Sequence, residues 1–267
     1  MKRTTLNALG FIVFWLAAAT VCRADITLFQ DNFESGDLSQ WIGKDGAPLN
    51  GQIVVDPLNA SNHVLTFTAV NSYGDMFSAA PLDLSRPRQY VLSFDFLGLP
   101  DIYNPSRGNG GFIGIADTPS SFSEQFWIAG TYLPALTVPP PVATALTVDG
   151  AWHHYDIDIT EVIQANGLTQ TLLMVEDWFN FDSVPGDVFF DNLRVVGVFD
   201  PNPILALVPC EGPAPGKKWK NHGAYVSTVS AIVNLYQSEN LITAAEADQV
   251  MSIAGRSDCG KKKPSAL

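Results

Sequence analysis

Short apolar runs separated by Gly, Pro, Asn and Asp fill the chain from Ile26 to Val198. Runs of this length and spacing are typical of an all-β sandwich rather than of βαβ units. A helical turn is indicated only at Ile159–Ala165. The predicted strands are Thr27–Glu34, Gln52–Asp56, His63–Ala69, Asp75–Leu82, Tyr90–Leu97, Gly111–Ala116, Gln125–Ala129, Trp152–Ile159, Thr171–Trp178 and Val188–Val196.

The last of these strands has a carboxylate among its apolar positions. Successive side chains of a strand point to opposite faces, so Asp191 is expected on the apolar face and Asn192 on the other. A buried carboxylate is costly unless something pairs with it, and a candidate partner segment is Asp31–Gly36. The predicted apolar neighbours of Asp191 are Phe189, Leu193 and Val195.

The pattern changes after the sandwich. Five prolines between Phe199 and Gly216 cannot continue a central strand, so we predict a linker over 199–216 between a domain at 25–198 and a unit at 217–267. In that unit, apolar residues recur at helical spacing from Tyr225 to Tyr236. Thr243 and Glu246 then match a capping box at the start of a second helix. The prediction is a small α-helical hairpin.

Residues 1–24 have the pattern of a signal peptide. Lys2 and Arg3 precede an apolar run over 8–21, and Cys22-Arg23-Ala24 offers small residues at a cleavage site. The run is shorter than the roughly 18 residues of a transmembrane helix, and no later stretch is long enough to span a bilayer. We therefore expect a secreted protein, extracellular or periplasmic, without a membrane span after processing.

The charge is concentrated in one part of the chain. Residues 25–209 carry 22 acidic and 5 basic side chains, a net charge of −17, whereas residues 210–267 carry 5 acidic and 7 basic side chains, a net charge of +2. An acidic domain of this kind repels nucleic acid and anionic membranes. It is compatible with a domain that binds a cation or a neutral polymer. It is also compatible with acidic side chains that only keep the protein soluble.

Two cysteines remain after residue 24, Cys210 and Cys259. In an oxidising compartment an even pair indicates a disulfide. Closing a loop of about 50 residues stabilises by on the order of 4 kcal/mol in the chain-entropy model. The alternative, a metal site, has only His222 nearby. We predict the disulfide, which a small helical unit needs.

Two short motifs at opposite ends of the domain carry a resemblance. Phe33-Glu34-Ser35-Gly36 in the first strand and Asp191-Asn192 in the last resemble the first and last strands of jelly-roll carbohydrate-binding modules, the galactose-binding-like β-sandwiches. The resemblance covers roughly residues 27–198. It implies a mainly β, jelly-roll sandwich with a structural Ca²⁺ away from the sugar, bound through Glu34 and Asp191. We add Asp31 as a third ligand, with Asp37 as a rival. The 217–267 unit resembles a tail found on assorted secreted bacterial proteins. This resemblance implies no activity.

Sugar binding needs exposed aromatic rings beside polar groups. Alternation along four predicted strands places certain side chains away from the apolar face, and these line one concave face if the strands share a sheet. The alternative for each Trp is a place in the core. The candidate ligand-binding residues are Asp95, Trp127, His154, Glu176 and Trp178.

These features predict a carbohydrate-binding protein whose partner is a polysaccharide or cell-surface glycan. One alternative is a glycoside hydrolase or polysaccharide lyase that uses Glu176, His154 or Asp95, because glycosidases need two carboxyl groups flanking the bond. Another is a surface or matrix protein. The loop Tyr132–Thr144 either covers the concave face or lies away from it.

Overall fold

The computed structural model describes residues 25–67, 75–100, 110–120, 124–177 and 187–261. The predicted signal peptide, 1–24, lies outside the described residues. Within them, the strands are β1 Ile26–Asp31, β2 Trp41–Gly43, β3 Gly51–Asp56, β4 Asn59–Phe67, β5 Met76–Ser78, β6 Leu82–Asp83, β7 Arg88–Gly98, β8 Gly111–Ala116, β9 Gln125–Gly130, β10 Thr144–Ala145, β11 Trp152–Asp158, β12 Gln170–Asp177 and β13 Val188–Phe199. The helices are α1 Thr160–Ala165, α2 Asn202–Ala206, α3 His222–Ser238 and α4 Ala244–Arg256.

The described strands form two sheets. The first sheet has the order β11-β7-β13-β4-β3, with β1 also paired to β13. The second sheet has the order β10-β9-β8-β12-β5-β2, with β6 paired to β12. Alternate residues of both sheets, such as Phe94, Phe190, Ile115 and Leu173, pack into one hydrophobic core between them. The predicted fold class, a β-sandwich followed by a small helical region, is confirmed.

In β13, the side chains of Phe189 and Asp191 do not lie on the predicted face. The core contains Phe190, Leu193 and Val195, whereas Phe189 packs with a separate cluster outside it. A bulge between Asp191 and Arg194 interrupts the pairing with β7, and Asn192 within it has φ +52°. A bulge adds one residue to a strand and shifts the alternation beyond it. Asp191 therefore lies on the outer face with Phe189 and not among the core residues.

The predicted helical hairpin corresponds to α3 and α4. Thr243 caps α4, and the capping box with Glu246 is formed as predicted. The disulfide between Cys210 and Cys259 is present. A second core lies around Val229, Val233 and Val250 on these helices. None of the described helices is long and apolar enough to cross a membrane.

The segment predicted as a Pro-rich linker takes part in this second core. Phe199 ends β13, and its side chain is buried with those of Ile204 and Val208. Residues 202–206 form α2, which the sequence pattern did not predict. The first ten residues of the predicted linker thus pack as part of the helical region, because the prolines here begin a turn of helix rather than an extended connection.

Candidate functional site

The outer face of the second sheet carries a cleft. Along β12, Leu173 and Val175 enter the core, so Met174 and Glu176 point away from it. On β9, Trp127 packs against the outer cluster that contains Met174. The cleft has a volume of about 380 Å³ and is lined by Lys44, Phe112, Gln125, Trp127, Ala135, Thr137 and Glu176.

The Trp127 ring is held at the side of this cleft by its neighbours. It meets Phe112 edge-to-face at 5.7 Å between ring centroids. Phe112 reaches this place because Gly130 has no side chain: a Cβ there would meet the Phe112 ring at 2.4 Å. The backbone N–H of Trp127 donates to Thr137 Oγ1 at 2.7 Å, and Thr137 N–H donates back to Trp127 O at 3.2 Å. The ring is only partly buried.

The contacts of Thr137 also show where the first part of the loop Tyr132–Thr144 lies. Thr137 Oγ1 also donates to Gln125 O at 2.9 Å, which fixes this loop to the edge of β9. Ala135 and Thr137 form one wall of the cleft. The first part of the loop thus flanks the site beside Trp127.

Three ionisable side chains, those of Lys44, Asp75 and Glu176, lie together at the cleft. Asp75 is 2% exposed, and its Oδ2 accepts from Lys44 Nζ at 2.5 Å and from Gln125 Nε2 at 3.4 Å. Glu176 is 4% exposed and lines the cleft together with Lys44 and Gln125. Burial, with the adjacent Asp75 carboxylate, raises the pKa of Glu176 well above its usual value, and Lys44 acts in the opposite direction.

The outer face of the first sheet carries a separate polar cluster. His154 Nδ1 lies 2.6 Å from Asp95 Oδ1, and His154 Nε2 lies 3.4 Å from Asp156 Oδ2. Asn192 Nδ2 donates to Asp95 Oδ2 at 2.7 Å. The hydrogen bond with Asp95, and the charges of both carboxylates, raise the pKa of His154 above its ordinary value. This cluster is open, with 57% of the His154 side chain exposed.

The raised pKa of His154 is testable. In a pH titration of the histidine ring signals by NMR, the midpoint for His154 should lie above about 6.5. Replacing Asp95 by Asn removes the negative charge and the strongest hydrogen bond, so the midpoint should fall. An unchanged midpoint in Asp95→Asn would show that Asp95 does not hold the imidazolium.

The prediction that all five candidates share one face is wrong for the four that are described. Asp95 and His154 lie together on β7 and β11 of the first sheet, whereas Trp127 and Glu176 lie together on β9 and β12 of the second. Alternation indicates which side chains leave the core but not which sheet a strand joins. Trp178 lies outside the described residues.

The predicted catalytic pairing is corrected in the same way. Glu176 and Asp95 belong to different sheets, so they do not flank a common substrate. The carboxyl group beside Glu176 is that of Asp75, which sequence reasoning missed together with Lys44. Asp75 immediately precedes the short strand β5, and Lys44 lies in a 3₁₀ turn, Lys44–Gly46. Neither position has a sequence signal that connects it to Glu176.

The three predicted calcium ligands each accept hydrogen bonds from N–H groups. Asp31 accepts from Phe33 N at 2.9 Å and from Trp41 Nε1 at 2.8 Å. Asp191 Oδ2 accepts from Asn62 Nδ2 at 2.9 Å. For Glu34 the partners are the backbone N–H and the ring of His63. Across the described ranges, no group of three or more His, Cys, Asp or Glu side chains is arranged to hold a metal ion. Calcium binding stays a prediction.

Comparison with known proteins does not identify a family. No protein-family model and no curated protein matches the chain. Among solved structures, the N-terminal tandem CBM22 domain of Xyn10C from Paenibacillus barcinonensis matches with 15% identity over 64% of this chain and 50% of that one, at a TM-score of 0.38. SGBP-B from a complex xyloglucan utilization locus in Bacteroides uniformis matches with 13% identity over 61% and 48%, at 0.33.

A third similar structure is the enzymatically active domain of tailspike protein 4 from bacteriophage CBA120. It shares 10% identity over 63% of this chain and 20% of that one, at a TM-score of 0.36. The matched part of this chain thus spans half or less of each of these three proteins. At such scores the similarities carry no argument about function, which must come from the site itself.

Proposed function

We propose that the chain is a secreted carbohydrate-binding protein that holds a polysaccharide in the cleft of the second sheet and has no catalysis of its own. The observation that carries this proposal is a partly exposed Trp127 ring in a cleft that also presents an amine, an amide and a carboxyl group. Sugars combine apolar C–H faces with hydroxyl groups, so an aromatic ring beside donors and acceptors matches both. Most ligand sites share this pattern of apolar walls and few placed polar groups.

The carboxyl pair in the cleft favours binding over hydrolysis. Glycosidases separate their two carboxyl groups by about 5 Å or more, so that a sugar or a water fits between them. Asp75 is 2% exposed, is not among the residues that line the cleft, and accepts hydrogen bonds from Lys44 and Gln125. A sugar bound in the cleft therefore contacts Glu176 but does not lie between the two carboxyl groups, so this pair does not fit the acid–nucleophile or acid–base arrangement.

The proposal is tested by depletion of the protein onto insoluble polysaccharides. Replacing Trp127 by Ala should weaken retention at least about tenfold, or about 1.4 kcal/mol, because the stacking surface is lost. Trp152→Ala is the matched control: Trp152 packs against the outer cluster of the first sheet, on the other side of the sandwich. Melting temperatures of both variants show whether either has lost its fold.

Three outcomes contradict the proposal. Loss of retention in Trp152→Ala but not in Trp127→Ala would move the ligand to the first sheet. Release of soluble sugars from the retained polysaccharide, measured in the supernatant, would indicate an enzyme. No retention with clear self-association would favour the matrix protein.

A further inference from the structure

We propose that the helical region has a binding site of its own, a cleft beside Trp219 that takes an acidic polysaccharide through Lys218 and Lys220. The proposal goes beyond the proposed function and does not rest on it, because this cleft is built by a different part of the chain. Its walls are the segments 210–211, 218–220 and 258–261, and its volume is about 760 Å³. Ligand pockets typically have volumes of about 300–1,000 Å³.

The walls of this cleft are held in place by covalent and polar contacts. The disulfide joins Cys210 to Cys259, and both residues line the cleft. Gly260, with φ +71°, packs against the start of α3, where a Cβ would meet the backbone oxygen of Asn221 at 2.7 Å. The ring Nδ1 of His222 lies 2.7 Å from the backbone oxygen of Cys259. The cleft is therefore preformed, which lowers the entropic cost of binding a ligand.

The Trp219 side chain offers an apolar ring to the cleft rather than a polar group. Its Nε1 donates to the backbone oxygen of Pro209 at 2.9 Å, so the indole N–H is already used within the protein. The ring meets Tyr225 edge-to-face, with 5.7 Å between the centroids, and Tyr225 is buried in the second core. Trp219 itself is only partly buried. Its ring is thus fixed in orientation and accessible to the C–H face of a sugar.

Lysine side chains supply positive charge around this ring. Lys218 and Lys220 are exposed, and within the described part of the chain neither forms an ion pair. Lys261 also lines the cleft and donates to Asp258 Oδ1 at 3.0 Å, with 45% and 95% of the two side chains exposed. Such an exposed pair contributes little to stability, so Lys261 can turn to an anionic ligand. The three lysines outnumber the two carboxylates in the lining, those of Glu211 and Asp258.

The combination of ring and charge selects the ligand. A neutral sugar stacks on Trp219 but leaves the ammonium groups of Lys218 and Lys220 without a partner, whereas a uronic acid or a sulfated sugar engages both features. A membrane surface or a nucleic acid duplex is too wide to contact the cleft alone and is repelled by residues 25–209, whose net charge is −17. A single polysaccharide chain enters the cleft, and charges more than about 8 Å away are largely screened at physiological ionic strength.

The experiment is titration calorimetry of the protein with sodium alginate, polygalacturonate and chondroitin sulfate at about 50 mM and about 300 mM salt. At least one of these polymers should bind, more weakly at the higher salt concentration. The double variant Lys218→Gln, Lys220→Gln should bind it at least about tenfold more weakly. Arg194→Gln, Arg256→Gln is the matched control, because it removes two exposed positive charges outside the cleft. Its affinity should stay within about twofold of the wild type.

Poly-L-glutamate tests the role of the ring, because it carries carboxylates but no sugar. The wild type should bind it at least about tenfold more weakly than the acidic polysaccharide at equal carboxylate concentration. Trp219→Ala should remove most of this difference, since the surface for stacking is lost. Melting temperatures of all variants exclude unfolding as the cause.

Four outcomes overturn the inference. The first is that none of the three acidic polysaccharides binds, and the second is equal affinity for poly-L-glutamate. The third is an equal loss in the lysine and arginine double variants, which would show attraction by overall charge. The fourth is loss of binding in Trp127→Ala but not in the lysine variant, which would place the acidic polymer in the cleft of the second sheet. That result would leave the proposed function standing. Conversely, unchanged retention of insoluble polysaccharide in Trp127→Ala would contradict the proposed function without touching this inference.

Discussion

Replacing Arg88 by Met is expected to lower the free energy of unfolding by about 3–5 kcal/mol. Arg88 lies at the start of β7, and its Nη2 meets Oε1 of Glu246 on α4 at 2.6 Å. The two side chains are 1% and 0% exposed, so this ion pair is buried between the sandwich and the helical region. Removing the guanidinium leaves a buried carboxylate without its counter-charge, which is the costly way to break such a pair.

Glu246 has a second role that raises the cost. Its Oε2 accepts from the backbone N–H of Thr243 at 2.7 Å in the capping box of α4. If Glu246 becomes protonated or leaves its place when Arg88 is removed, the start of α4 is weakened as well. Arg88 also lies 5.9 Å from the ring centroid of Phe199, which belongs to the second core. The substitution should therefore affect the helical region more than the far side of the sandwich.

Urea unfolding followed by both helix circular dichroism and tryptophan fluorescence measures the loss. Arg194→Met is the matched control, because Arg194 is exposed on the outer face of β13 and should cost no more than about 0.5 kcal/mol. The double variant Arg88→Met with Glu246→Gln should recover part of the stability, since Gln keeps the cap without the charge. A loss in Arg88→Met equal to that in Arg194→Met would show that the pair does not join the two parts.

The sequence was sufficient for the fold class because the local signals agree. Gly111–Ala116 is a strand as predicted, and the capping box at Thr243 begins α4 as predicted. The strands β2 and β10 were missed because a run of two or three residues is too short to show the alternation of apolar and polar positions. The face of Phe189 was wrong because a bulge depends on the pairing of β13 with β7, a contact between distant parts of the chain.

The candidate site was predictable only one strand at a time. Alternation correctly turned Trp127 and Glu176 away from the core, and it did the same for Asp95 and His154. It could not assign the two pairs to different sheets, because sheet order is set by long-range pairing. Asp75 and Lys44 come from short segments whose place beside Glu176 exists only in the folded chain. The most constrained part of the cleft was thus beyond sequence reasoning.

Replacing Asp177 by Asn is expected to stabilise the protein at alkaline pH by on the order of 5 kcal/mol. Asp177 is fully buried at the end of β12, and within the described part of the chain neither of its carboxyl oxygens has a hydrogen-bond partner. Burial, followed by the nearby charge of Asp187, raises the pKa of Asp177 from 3.8 to about 8. The folded protein therefore keeps a proton that the unfolded chain loses above about pH 4.

The sign of the effect follows from this difference in proton binding. Because the folded state binds the extra proton, the contribution of Asp177 to stability is most favourable below about pH 4 and becomes steadily less favourable as the pH rises to about 8. Asn has a similar shape and no proton to lose, so Asp177→Asn should match the wild type at low pH and exceed it increasingly above neutrality. Urea unfolding at several pH values measures the divergence. Asp248→Asn, at an exposed position of α4, controls for the removal of one negative charge. Parallel stability curves for Asp177→Asn and the wild type would mean that Asp177 is ionised in the folded protein and that its charge is balanced by a cation or by a polar group.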